Sequence, residues 1–149
     1  MDAPANSASI TVRAATAADS QAIAALVAEL GYPAAAAEIP GRLAALGESR
    51  QTLALVADIG ADVIGLATAH VLSTIHAPAP VALLTALVVL QRARGSGAGR
   101  QLVERVESWA RDEGAVRIAV TSGSQRADAH AFYRRIGYEQ TGLRFAKKL

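Results

Sequence analysis

The chain contains no cysteine among its 149 residues. That excludes disulfide staples, thiolate zinc sites and cysteine nucleophiles together. Aromatic residues are scarce, at 4% against 52% hydrophobic residues overall, so the core has to be aliphatic. An excess of one charge is also lacking: 15 Lys and Arg against 13 Asp and Glu leave a net charge of +2. Composition therefore gives no argument for nucleic-acid binding. The three histidines are dispersed and have no spaced acids beside them, so no metal motif is present. Residues 63–91 carry no Asp, Glu, Lys or Arg, but His70, Ser73, Thr74, His76, Pro78 and Pro80 interrupt them. The purely apolar pieces are too short to span a bilayer as a helix. The segment Met1-Asp2-Ala3-Pro4-Ala5-Asn6-Ser7 has neither the basic nor the apolar region of a signal peptide. The expectation is a cytoplasmic protein with a flexible stretch over residues 1–8 and a single domain over 9–149.

Periodicity then orders the elements. Ile10 and Val12 alternate with polar neighbours as in a short strand. Thr16 and Asp19 form a capping-box-like pair, and Ile23, Leu26, Val27 and Leu30 follow at helical spacing. Gly31 stops that helix, and Pro40 breaks or restarts the next, whose apolar positions include Leu43 and Leu46. Strands are expected over Leu53–Ala57 and Val63–Leu72, with a turn between them. The run Val81–Leu90 suits a central strand covered on both faces. Ala98, Leu102, Val106, Trp109 and Ala110 share one face of a helix, with Arg100 and Glu104 on its wet side. Val116, Ile118 and Val120 alternate as a strand, Asp128 to Ile136 reads as a helix, and Tyr138 and Leu143 to Phe145 suggest two last strands. The fold class is mixed α/β in one domain.

Leu87-Val88-Val89-Leu90-Gln91-Arg92-Ala93-Arg94-Gly95-Ser96-Gly97-Ala98-Gly99-Arg100 is an apolar strand, a basic glycine turn and a helix start in succession. Glycines let the backbone turn tightly, and the first N–H groups of a helix lack internal partners. Such a turn attracts a phosphate. It is not a Walker loop, since Arg100 and Gln101 follow the last glycine where Lys and Ser or Thr are required. The dinucleotide fingerprint fails too: its third glycine should be residue 100, and no acid follows the next strand. A tight turn without a ligand remains the alternative on this feature alone.

The pattern Arg94-x-x-Gly97-x-Gly99 after an apolar strand resembles the R/Q-x-x-G-x-G/A motif of the GNAT superfamily of acyl-CoA-dependent N-acyltransferases. Ala129-His130-Ala131-Phe132-Tyr133-Arg134-Arg135-Ile136-Gly137-Tyr138 is similar to a second helix and turn of that family. Leu30-Gly31-Tyr32-Pro33 resembles its turn between the first two helices. The resemblance covers residues 9–149. It implies a mostly antiparallel central sheet of six to seven strands with about four helices and splayed central strands. It also implies that the backbone of Leu87, Val88 and Val89 pairs with the pantetheine arm of acetyl-CoA. Amides of Gly95, Ser96, Gly97, Ala98, Gly99 and Arg100 would bind the diphosphate, with Arg94, and Arg92 as a second candidate, adding charge. Tyr133 matches the tyrosine that protonates the departing thiolate; the alternative is a packed aromatic beside Phe132. Glu29, Tyr32 and His70 are candidate acceptor-binding residues, each with a plain surface or structural reading beside it. Arg126, Arg134 and Arg135 are candidates for the coenzyme's 3′-phosphate or for simple solvation.

This chain departs from the family pattern in two places. Gly123 and Ser124 stand where an asparagine is frequent, and Val81–Leu90 has no carboxylate to act as base. The resemblance implies acetyl transfer from acetyl-CoA to a primary amine of a small molecule, without metal, nucleic acid or membrane, by a homodimer. A protein lysine or N-terminal acetyltransferase and a non-catalytic acyl-CoA sensor are the competing readings.

Overall fold

The computed structural model describes residues 9–121 and 127–149. The expected N-terminal tail over 1–8, the Gly123 and Ser124 departure and Arg126 lie outside them. The chain divides into two compact units, one ending at Ala119 and one beginning at Val120.

The first unit is a sheet with helices on both faces. Its elements are β1 (Ile10–Ala14), α1 (Ser20–Leu30), α2 (Ile39–Gly47), β2 (Thr52–Ile59), β3 (Asp62–Leu72), β4 (Val81–Val89), α3 (Ala98–Asp112) and β5 (Ile118–Val120). Strands β1 to β4 are antiparallel and lie in chain order, with β5 next to β4. The faces follow from strand alternation. Val56, Leu66 and Val88 point to one side, where Ile23 and Leu26 of α1 and Ile39 of α2 close over them. Ala57 and Gly65 point to the other side, under Leu102 of α3. A β-carbon at Gly65 would stand 3.0 Å from Leu102 Cδ1, so glycine there lets α3 sit close on the sheet.

Several sequence expectations hold. Gly31 ends α1 at φ 105, with Tyr32 N–H donating back to Val27 O at 3.0 Å. Pro40 stands in the first turn of α2, where a missing N–H is harmless. Trp109 is half-buried against the cluster of Val71, Ala82 and Ala110.

Other expectations are corrected. Five strands are present among the described residues, not six to seven. Residues 138–149 carry no strand, and Leu143 and Phe145 are 81% and 89% exposed. Alternation marks a residue as able to line a sheet, but a strand exists only against a hydrogen-bonded neighbour. Strand β4 has a helix on each face, α1 over Val88 and α3 against Ala82, but the cover is incomplete: Leu83 and Thr85 are exposed and Thr85 Oγ1 pairs with Thr68 Oγ1 at 2.7 Å. The second unit contains α4 (Ala127–Arg135), ended by Gly137 at φ 95 with Tyr138 N–H donating to Tyr133 O at 2.9 Å.

An ion network not expected from the sequence ties β1 to α1 and β2. Arg13 donates from both terminal nitrogens to Asp19, at 2.8 and 2.9 Å, and from Nε to Asp58 at 2.9 Å. Asp19 also accepts from Thr16 N–H at 2.8 Å, which is the reach-back of the expected capping box. Both carboxylates are buried. The Arg13 hydrogen bonds hold the Asp19 carboxyl below its ordinary 3.8, against the opposing effect of burial. A group with a depressed folded pKa stabilises the fold above its unfolded pKa, and that contribution disappears as pH falls through the folded value. Arg13→Leu leaves two buried carboxylates without a cation. Since Arg13 itself is partly exposed, the expected loss is about 2 kcal/mol at neutral pH. Urea unfolding measures it, and below about pH 4 the gap between variant and parent should narrow as Asp19 protonates.

Candidate functional site

The end of β4 and the start of α3 form the candidate site. Val88 is buried under α1, while Leu87 and Val89 alternate to the opposite side and are half-buried. Strand β5 has three residues against nine in β4, so it can pair with only a fraction of β4's outer edge. The bonds Val116 N–H to Pro80 O and Ala82 N–H to Arg117 O tie the segment leading into β5 to the beginning of β4. Both residue numbers rise together, as in parallel pairing. The stretch at Leu87, Val88 and Val89 lies past the reach of a three-residue partner joined at that end. An amide-rich chain could add there as a strand.

Beyond β4 the chain makes one 3-10 turn over Gln91–Ala93. Arg94 is then extended, and Gly95 and Gly97 take φ 81 and 92. These left-handed angles require glycine, although a β-carbon at either position would meet nothing within 4 Å. Conformation, not crowding, therefore selects them. Gly97 is the N-cap of α3, and Gln101 is the first residue to donate back, to Gly97 O at 3.1 Å. Helix geometry leaves the N–H groups of Gly99 and Arg100 without acceptors inside the helix. Ser96 Oγ accepts from Ala98 N–H at 3.3 Å. Gly95, Ser96 and Gly97 are exposed, so the cradle is open. No acid occupies the first turn of α3, and its positive dipole end is left for an outside anion.

The candidate cations divide. Arg94 is exposed in the turn. Arg92 is turned to the β2–β3 hairpin, with two bonds of 2.7 and 2.9 Å to Asp62. That pairing raises the Arg92 pKa and holds the Asp62 carboxyl below its ordinary range. Arg100 pairs with Glu104 at 3.2 Å on the exposed face of α3. An open groove of about 450 Å³ beside the turn is lined by Arg13, Asp19, Asp62, Leu90 and Arg92, among others. Those charges already pair with one another or with Asp58.

Of the three acceptor candidates, one is brought to the turn. Glu29 Oε2 accepts from Gln91 N–H at 3.1 Å. Tyr32 follows in the turn after α1 and is 64% exposed. His70 is exposed and pairs with Leu83, whereas Gly65 pairs with Val89; five residues of strand put His70 about 17 Å along β3 from the level of Val89. Tyr133 is half-buried on α4, with its ring edge-on to Phe132 and Tyr138 at centroid distances of 5.5 and 5.8 Å. Among the described residues no group of three His, Asp or Glu could hold a metal ion. Among the described residues no helix is long and apolar enough to cross a membrane.

The sequence model of the acetyltransferase (GNAT) family matches residues 17–138. The chain is 36% identical over 88 residues to an aminoalkylphosphonate N-acetyltransferase of Salmonella typhimurium, covering 59% of this chain and 57% of that protein. It is 39% identical over 62 residues to an aminoglycoside N(6′)-acetyltransferase of Stenotrophomonas maltophilia, covering 42% of this chain and 40% of that protein. These matches span about half the length of those relatives or less. Among solved structures, an aminoglycoside N-acetyltransferase in complex with CoA superposes with TM-score 0.84 at 18% identity, over 98% of both chains. A GNAT family acetyltransferase of Staphylococcus aureus superposes with TM-score 0.79 at 22% identity, over 95% of this chain and 99% of that one. At such identities the superpositions speak for the fold.

Proposed function

The chain belongs to the acetyltransferase (GNAT) family, and on that premise we propose that it moves an acetyl group from acetyl-CoA to a primary amine of a small molecule by direct transfer. The observation that carries the reading is the continuous path from the outer edge of β4 to the left-handed glycines and open amides at the start of α3. The backbone of Leu87, Val88 and Val89 would pair with the amides of the pantetheine arm. The N–H groups from Gly95 to Arg100 would hold the diphosphate, with Arg94 adding charge. The match over residues 17–138 crosses both units, which supports treating residues 9–149 as one acyltransferase domain. A homodimer in the cytoplasm is part of the same proposal.

In the proposed reaction the neutral amine attacks the thioester carbonyl. A main-chain donor such as Val89 N–H would stabilise the oxyanion. The carbon–sulfur bond then breaks, Tyr133 gives its proton to the thiolate, and the amine's proton leaves through water or a base. The products are an amide and free CoA. The relatives named for aminoalkylphosphonates and aminoglycosides support a small-molecule acceptor over a protein lysine.

Two measurements test this together. Acetyl-CoA at one hundred times its Kd should stabilise the chain by about 2.7 kcal/mol. Free thiol should appear with an aminoalkylphosphonate or an aminoglycoside and not with a lysine peptide. Failure of millimolar acetyl-CoA to move the melting temperature overturns the reading, and binding without thiol release across the amines leaves a sensor.

A further inference from the structure

Glu29 stands at the end of α1, two residues before the Gly31 turn. Its carboxylate accepts from Gln91 N–H across 62 positions of sequence. Gln91 opens the 3-10 turn that leaves β4. The next residue, Arg92, is gripped from the β2–β3 hairpin by both oxygens of Asp62, and its guanidinium also feels the Glu29 charge. Consecutive residues of one turn are thus tied to two separate elements.

The turn's own bonds are local, from Ala93 N–H to Leu90 O at 2.9 Å and from Arg94 N–H to Gln91 O at 3.2 Å. A single 3-10 turn is weakly held by such bonds. Its orientation on the sheet therefore depends on the outside ties, and that orientation sets where the amides of Gly95 to Arg100 point.

We propose that Glu29 is a positioning residue for coenzyme binding, bracing through its bond to Gln91 N–H the turn from which the amide cradle projects. The inference rests on the acyl-CoA reading above. It concerns the carboxylate as a hydrogen-bond acceptor and not as a charge. A negative charge near a diphosphate is unfavourable by itself, so the two properties separate on substitution. Glutamine keeps an acceptor oxygen and loses the charge. Alanine loses both.

Titration of the full chain with CoA, alongside steady-state kinetics, tests this. Glu29→Ala should weaken CoA binding about five- to tenfold, the size of one ordinary hydrogen bond. KM for acetyl-CoA should rise in step, and kcat should stay within about twofold, because a group acting through binding leaves the chemical step alone. Glu29→Gln should bind CoA as tightly as the parent or more tightly, and its folding guards against a trivial loss in the alanine variant. Parental affinity in Glu29→Ala overturns the proposal. So does a fall in kcat shared by both variants, which would make the charge act on the acceptor or its proton. If the unsubstituted chain binds no CoA, the acyl-CoA reading fails and takes this inference with it. A failure of the bracing role alone instead shows parental binding intact and unchanged in Glu29→Ala.

Discussion

Replacing Gly97 by valine is expected to cut the thermal shift given by acetyl-CoA by half or more while the sheet and helices still form. Gly97 sits at φ 92 as the N-cap of α3, a region closed to β-branched residues. Space is not the obstacle, because a β-carbon there meets nothing within 4 Å. The strain of holding valine at that angle is about 1–3 kcal/mol. The exposed turn can escape it by rotating to negative φ. That rotation turns the adjoining peptide planes, and with them the N–H groups of Gly97 and Ala98. A cradle made of main-chain donors cannot recover them by moving a side chain. Affinity for CoA should fall by more than about tenfold, since each lost bond to a charged group is worth about 1.5–3 kcal/mol. The loss in folding stability should not exceed the strain. Calorimetric titration against an unchanged far-ultraviolet dichroism spectrum measures both, and retained affinity would refute the role of the turn.

Tyr133→Phe is expected to lower kcat by at least about tenfold, within the ~10²–10⁴ range of a positioned general acid. The substitution removes one hydroxyl and keeps the ring, so the edge-on contacts to Phe132 and Tyr138 persist. CoA affinity should therefore stay close to the parent. A packing role predicts an unchanged kcat. Saturating kinetics separate the two, and parental turnover in the phenylalanine variant would remove Tyr133 from the chemistry.

Local chemistry was the legible part of the fold. The stripe of Leu102, Val106 and Ala110 marked α3, Gly31 and Gly137 marked helix ends, and Gly95 and Gly97 marked the turn, because each signal resides within a few residues. What escaped is long-range. Arg13 meets Asp58 from 45 positions away, and Glu29 meets Gln91 from 62. No periodicity announces such pairs. Glu29 shows the consequence, since the family resemblance implied an acceptor-binding candidate there, whereas only the folded chain shows its oxygen on a backbone amide. At Leu143 and Phe145 the error had the opposite sense: apolar alternation was present and a partner strand was not. In β4, an unbroken apolar run suggested cover on both faces, yet Leu83 and Thr85 are exposed. Hydrophobicity reports what a strand tolerates and not what lies above it.

Backbone amide resonances read the central claim without any substitution. On titrating the isotopically labelled chain with CoA, the N–H signals of Gly95, Gly97, Gly99 and Arg100 should move downfield in a saturable way as they gain acceptors. Those of Leu87 and Val89 should join them, because Leu90 N–H donates inward to Ile64 O and alternation turns Leu87 and Val89 to the outer edge. Saturable binding that leaves these amides unmoved, and shifts others instead, would contradict the account.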